Sequence, residues 1–236
     1  MASRRLIYKF LIDIFLPNSC PICGKVLKWN ELLCADCEQK LEFADSENTN
    51  KNLPEKVYFD KAFAVTYYEN EVKDVIYRLK QGECRNFAEY SSQKLAEILK
   101  KDGTADGIDV VTAVPMHRKK KAERGCNQAE ILAGYLKCFL KKPKDFKLLK
   151  VKADKISQHH LSAVQRQNHA EKLYFVNKKH KDISGKTVLI CDDVMTTGST
   201  LNICAKLLKE KCKAKKVYCA VCAKTKFENK SDDSEE

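Results

Sequence analysis

At 236 residues and 44% apolar content, the chain is long enough for one full domain plus a small module, and it fits a globular protein with a real core. Its formal charge of +12 suits anionic partners such as phosphates, nucleotides or nucleic acid, although a lysine-rich background gives the same figure. Twelve cysteines without the look of an extracellular disulfide framework exclude a secreted disulfide scaffold and point to a reducing cytoplasm.

Residues 1–17 open with Arg4-Arg5 and an apolar stretch from Leu6 to Leu16. The stretch is too short to span a bilayer, contains Lys9 and Asp13, and is followed by no small-x-small cleavage site, so no transmembrane segment is expected. Leu6, Phe10, Ile14 and Leu11 share a helical face, which predicts an amphipathic helix packed on the protein or resting on a membrane surface. Residues 18–43 hold Cys20-Pro-Ile-Cys23 and Cys34-Ala-Asp-Cys37, a C-x2-C-x10-C-x2-C pattern. Two such knuckles bring four thiolates to one point, which suits a closed, structural Zn2+ site on Cys20, Cys23, Cys34 and Cys37. Gly24 stands where a knuckle needs positive φ. A redox pair is the competing reading, and no thioredoxin-like βαβ pattern surrounds either motif. Residues 44–54 are polar and turn-rich and read as a linker.

Residues 55–226 form the main domain. Val72, Val75, Ile76 and Leu79 recur at helical period, as do Phe87, Tyr90, Leu95, Ile98 and Leu99. Asp109 to Pro115 predicts a short strand, His117 to Gly125 a basic loop, and Asn127 to Phe139 a helix. Further strands are expected near Leu173–Asn177, Thr187–Asp193 and Lys216–Thr225. The alternation argues an α/β fold, a mostly parallel sheet flanked by helices. Cys219 and Cys222 fall on opposite faces of the last strand and make a poor metal pair. The end, residues 227–236, reads as an acidic disordered tail.

The run Val188-Leu-Ile-Cys-Asp192-Asp193-Val194-Met195-Thr196-Thr197-Gly198-Ser199-Thr200 carries the most information. It reads as a buried strand, two carboxylates, a small-residue turn, and a helix beginning at about Leu201. Thr196 to Thr200 can point N–H groups and hydroxyls at a phosphate, with a helix N-terminus behind them. Asp192 and Asp193 sit at the carboxyl end of the strand, where open α/β sheets place ligands, and suit ribose hydroxyls or a ribose-bound Mg2+. A plain strand–turn–helix with capping Thr and Ser is the bland alternative. The second candidate is Val114-Pro115 with the basic stretch after it: Lys119, Lys120, Lys121 and Arg124 can face a pyrophosphate if this strand end lies beside Asp192. An ordinary solvated charge run is the alternative there, and a solvated loop is the alternative for the pair His159-His160.

The run 188–200 resembles the 5-phosphoribosyl-1-pyrophosphate (PRPP) loop of type I phosphoribosyltransferases. The whole layout is similar to the ComF family, bacterial proteins with an N-terminal zinc module and a phosphoribosyltransferase-like domain, linked to natural competence. The likeness spans roughly residues 5–226. It rests on the four cysteines, Tyr67-Tyr68, Leu79-Lys80-Gln81-Gly82, Val114-Pro115 and the basic stretch, Arg124-Gly-Cys-Asn127-Gln128-Ala, the set Gln158, Leu161, Arg166 and Asn168, and the PRPP loop. Cys126 stands where the family usually has an aromatic residue, and Lys155 where it often has Thr.

The resemblance implies that Asp192 and Asp193 hold the ribose hydroxyls and that Thr196, Thr197, Gly198, Ser199 and Thr200 hold the 5-phosphate. Val194, Met195, Pro115 and Met116 complete the implied PRPP-binding set. Lys119, Arg124 and Mg2+ would neutralise the leaving pyrophosphate, so Asp192, Asp193, Arg124 and Lys119 are the expected catalytic residues, and Gln158 to Asn168 the loop that closes over PRPP. It further implies incoming single-stranded DNA and competence-machinery proteins as partners. A single-stranded DNA-binding factor, or a PRPP-sensing regulator without turnover, remains the alternative to a transferase.

Overall fold

The computed structural model describes residues 18–45, 49–51, 53, 56–152, 172–177, 179 and 182–226. The expectations for residues 1–17, for Gln158 to Asn168 and for the tail 227–236 lie outside the described residues.

Four parallel strands make the main sheet, in the order β1 (Lys61–Tyr67), β6 (Lys216–Lys224), β5 (Thr187–Met195), β2 (Val110–Ala113). Val188, Leu189, Ile190 and Cys191 of β5 are fully buried, because a parallel strand covered on both faces reads as a continuous apolar run. The helices α3 (Arg85–Lys101), α5 (Gln128–Leu140) and α6 (Ser199–Cys212) cover the sheet, and α2 (Asn70–Lys80) packs on α3. Helices α3 and α5 pack on one another; α3 also lies on β1 and α5 on β2 and β5. Helix α6 packs on β5, β6 and the small antiparallel pair β3 (Leu149–Val151) and β4 (Tyr174–Val176), through β4. The apolar stripes expected of α2 and α3 turn inward: Val72, Val75, Ile76 and Leu79, and Phe87, Tyr90, Leu95 and Leu99, are buried, with Ile98 half-buried.

Three local readings differ from the expectation. The stretch after Pro115 is not a loop: Arg118–Arg124 is a two-turn helix, α4, capped at His117 and ended by Gly125 at φ +72. Its cations leave no apolar stripe and no buried residue, so hydrophobic periodicity is silent there. Helix α6 starts at Ser199, two residues before Leu201, because Gly198 at φ +75 makes the cap. Strand β1 had no counterpart in the reading, since Ala62 and Ala64 dilute its apolar signal, yet all but its first residue is buried beside β6.

The cysteine module docks on the main domain. Helix α1 (Ala35–Lys40) carries Cys37. The Arg78 guanidinium donates to the Pro21 carbonyl (3.0 Å), the Tyr90 hydroxyl to Glu38 (2.9 Å), and Lys94 pairs with Glu38 (2.9 Å). The described part of 44–54 is not a detached linker. The Ala44 N–H donates to Val65 O (2.9 Å), and the Asn50 side chain bonds both N–H and C=O of Ala62 (2.9 and 3.1 Å), occupying the free edge of β1. Among the described residues no helix is long and apolar enough to cross a membrane.

Candidate functional site

Pairing Ala113 with Cys191 puts the carboxyl ends of β2 and β5 side by side, and the Val114 N–H donates to Cys191 O (2.9 Å). Val114, Pro115, Met116 and His117 therefore leave the sheet next to Asp192 and Asp193. A cleft of about 330 Å3 opens at this point. Of the candidate site residues, Pro115, Met116, Arg124, Asp192, Asp193 and Thr200 line it. Of the three consecutive lysines, Lys120 lines the cleft; Lys121 pairs with Glu130 (2.7 Å); Lys119 is exposed on α4 and is not in the lining.

The small concavity next to it is built by Asp192, Val194, Met195, Thr196, Thr197, Gly198, Ser199 and Thr200. The loop is held by its own polar groups: the hydroxyls of Thr197 and Ser199 lie 2.8 Å apart, and the Gly198 carbonyl accepts from Asn202 N–H (2.8 Å). With a glycine in the left-handed region at the start of a fourteen-residue helix, the N–H groups of the first turn face outward, which suits an anion. Among the described residues no lysine or arginine lines this concavity, and backbone and hydroxyl donors carry the polarity they give it.

Asp192 Oδ1 accepts from Asp193 N–H and Asp193 Oδ1 from Val194 N–H, both at 2.9 Å. Burial, then the neighbouring Asp193 carboxylate, pushes the Asp192 carboxyl well above the usual range. Such a carboxylate favours company that stabilises its charge: a cation or sugar hydroxyls. The hard oxygen donors of the pair fit Mg2+.

Several lining residues escaped the sequence reading. Lys80, at the end of α2, reaches Asp193 with its ammonium 3.4 Å from Oδ2. Gln128 is 1% exposed and donates from Nε2 toward the carbonyls of Leu79, Cys126 and Lys80 (3.3, 3.4 and 3.5 Å), which ties α5 to the end of α2 and so holds Lys80 in place. Its Oε1 is a buried acceptor with no hydrogen-bond partner among the described residues. Asn127 accepts from Ala129 N–H (3.1 Å) and donates to Val114 O (3.0 Å), capping α5 and fixing the strand end. From β4, Tyr174 lines the cleft; burial, Cys204 and Asp192 push its phenol up, and a hydrogen bond with Thr200 opposes them. The motifs around Lys80 and Asn127-Gln128 were visible signals without a role; Tyr174 gave none. Cys126, where relatives are expected to carry an aromatic ring, is buried with its sulfur 3.3 Å from Gln128 Nε2.

In the cysteine module, the ligand atoms of Cys20, Cys23, Cys34 and Cys37 all lie within 4.8 Å of one another, and the sulfurs of Cys23 and Cys34 are 3.7 Å apart. Gly24, at φ +75, turns the first knuckle, and its N–H donates to Cys20 O (2.9 Å). Four thiolates with no open position fit zinc in a structural role, supplying folding energy to a module with little core of its own.

Comparison with known proteins agrees with both halves. Residues 11–49 match the double zinc ribbon domain and residues 122–235 the phosphoribosyl transferase domain. The molecule is thus a phosphoribosyltransferase-fold protein bearing a structural zinc ribbon. Over 199 residues it is 25% identical to Competence protein F of Haemophilus influenzae, covering 81% of this chain and 84% of that one. It is 27% identical over 203 residues to Competence protein ComFC of Bacillus subtilis (84% and 74% covered), and 25% over 205 to DNA utilization protein YhgH of Escherichia coli (85% and 88%). Over 81–85% of its length the chain is thus similar to ComF-type, competence-related proteins, with a zinc ribbon match ahead of a phosphoribosyl transferase match.

Proposed function

We propose that the cleft binds PRPP with Mg2+ and that the protein acts as a phosphoribosyltransferase on the cytoplasmic side of competence-linked DNA uptake. The observation that carries this reading is the meeting of three subsites at one strand end: the N–H and hydroxyl concavity of Thr196 to Thr200, the carboxylates of Asp192 and Asp193, and the cations Lys80, Lys120 and Arg124 beside the β2 exit. The first suits the 5-phosphate, the second the ribose 2- and 3-hydroxyls, the third a pyrophosphate at the anomeric carbon. Departure of pyrophosphate leaves an oxocarbenium-like ribosyl centre, whose positive charge the two carboxylates stabilise, while Lys120 and Arg124 take up charge on the leaving group. Mg2+, when bound at the carboxylates, supplies further charge neutralisation. Lys80 holds Asp193 oriented through their ion pair. Lys119, expected at the leaving group, is exposed on α4; Lys120 is the α4 lysine that lines the cleft.

The test is the thermal midpoint of wild type and Asp193→Asn with and without magnesium-PRPP. Ligand at about 100-fold over its dissociation constant adds about 2.7 kcal/mol, a rise of about 5–10 °C for a chain of this length. A magnesium-dependent rise lost in the variant is expected; no rise in wild type refutes the reading.

Direct handling of single-stranded DNA is a second reading, favoured by the cations Arg118, Lys119 and Lys120 exposed together on α4 and by the likeness to a DNA utilization protein. Under it, affinity for a single strand falls steeply with salt; a flat dependence would sink phosphate contacts as its basis.

A further inference from the structure

Lys224 is a buried ammonium that the proposed chemistry does not use. It closes β6, is 2% exposed, and donates to the carbonyls of Thr49 (2.9 Å) and Lys51 (3.2 Å). Burial pulls its pKa down, and the nearby Asp45 carboxylate opposes this. A charge placed inside at such a cost marks a contact the fold needs.

What it grips is the stretch that joins the zinc module to β1. Thr49 is 1% exposed and Asn50 is bonded to Ala62. Leu53, just beyond, packs under the phosphate loop: a Cβ built on Gly198 would stand 3.5 Å from Leu53 Cδ2 and 3.6 Å from Met195 Sδ. Met195 is the register partner of Lys224, and Thr225 N–H donates to Met195 O (3.0 Å). Gly198, the residue that turns the loop into α6, thus rests on two side chains, and the ammonium of Lys224 reaches the chain leading to one of them.

We propose that Lys224 is a positioning residue for the phosphate loop: by clamping residues 49–51 it seats Leu53 beneath Gly198, so that the segment leaving the zinc module is a working part of the sugar-phosphate subsite. The inference rests on the reading that Thr196 to Thr200 hold the 5-phosphate.

The test uses the full zinc-loaded chain, with ribose 5-phosphate as probe of the braced loop and magnesium pyrophosphate as probe of the opposite, unbraced side. Dissociation constants are measured by calorimetry for wild type, Lys224→Met and Leu53→Ala. Both variants are expected to weaken ribose 5-phosphate by at least about fivefold, the low end of ordinary coupling between separate sites, and to leave magnesium pyrophosphate unchanged. A general loss of structure moves both probes, and that result overturns the positioning role, as does wild-type affinity for ribose 5-phosphate in the two variants. If Lys224→Met does not fold, Leu53→Ala, which leaves the clamp intact, decides alone. If wild type binds pyrophosphate but not ribose 5-phosphate, the assignment of the loop fails first and the brace falls with it.

Discussion

Asn127 offers a direct way to ask whether the strand end and the helix behind the cleft are held as one unit. The side chain is 4% exposed and spends both ends of its amide: Oδ1 caps α5 through Ala129 N–H, and Nδ2 reaches Val114 O beside Asp192. Asn127→Ala removes the cap, worth about 1 kcal/mol. It also leaves the Val114 carbonyl without that donor in a buried setting, which costs about 1–3 kcal/mol more. The sum is about 3 kcal/mol, or a fall in thermal midpoint of about 6–12 °C. Asn127→Ser separates the two parts, since its hydroxyl keeps the cap and is too short to reach Val114. It should recover only the first. Chemical denaturation followed by circular dichroism reads both variants, with an unchanged slope as the check that the transition stays comparable. A loss under about 0.5 kcal/mol for Asn127→Ala, the range of an ordinary surface change, would refute the reasoning. A serine variant as stable as wild type would remove the Val114 bond from it.

Two further outcomes follow from the loop. The Asp192 carboxyl titrates above its usual range in the folded protein, so the native state keeps a proton that the unfolded chain gives up. Its contribution to stability is full below about pH 3.9 and is lost as pH rises through the folded value. The difference in thermal midpoint between wild type and Asp192→Asn, measured against pH without ligand, should therefore fall across that window; a flat difference would mean that Asp192 titrates normally. Gly198→Ala meets Leu53 and Met195 at ordinary contact distance, so its cost is the left-handed backbone, about 1–2 kcal/mol. Denaturant midpoints check this, and a neutral substitution would show that Gly198 does not need its φ of +75.

The sequence by itself determined what depends on neighbours along the chain. Four cysteines at knuckle spacing announce the zinc site, and Val188 to Thr200 reads as strand, acidic pair and phosphate turn because each part needs only its own residues. Stripes such as Val72, Val75, Ile76 and Leu79 give helices for the same reason. Where a segment has no apolar period, as in Arg118–Arg124, or a diluted one, as in Lys61–Tyr67, the pattern is mute and packing decides. The tertiary structure alone decided which groups meet. Lys80 reaches Asp193 from more than a hundred residues away, Gln128 holds the end of α2 beside it, Lys120 rather than Lys119 turns to the cleft, and Lys224 closes on Thr49 and Lys51. Those contacts follow from the strand order β1–β6–β5–β2, which brings together the ends of strands distant in the chain. No local periodicity encodes that order; it is set by which faces bury best against one another.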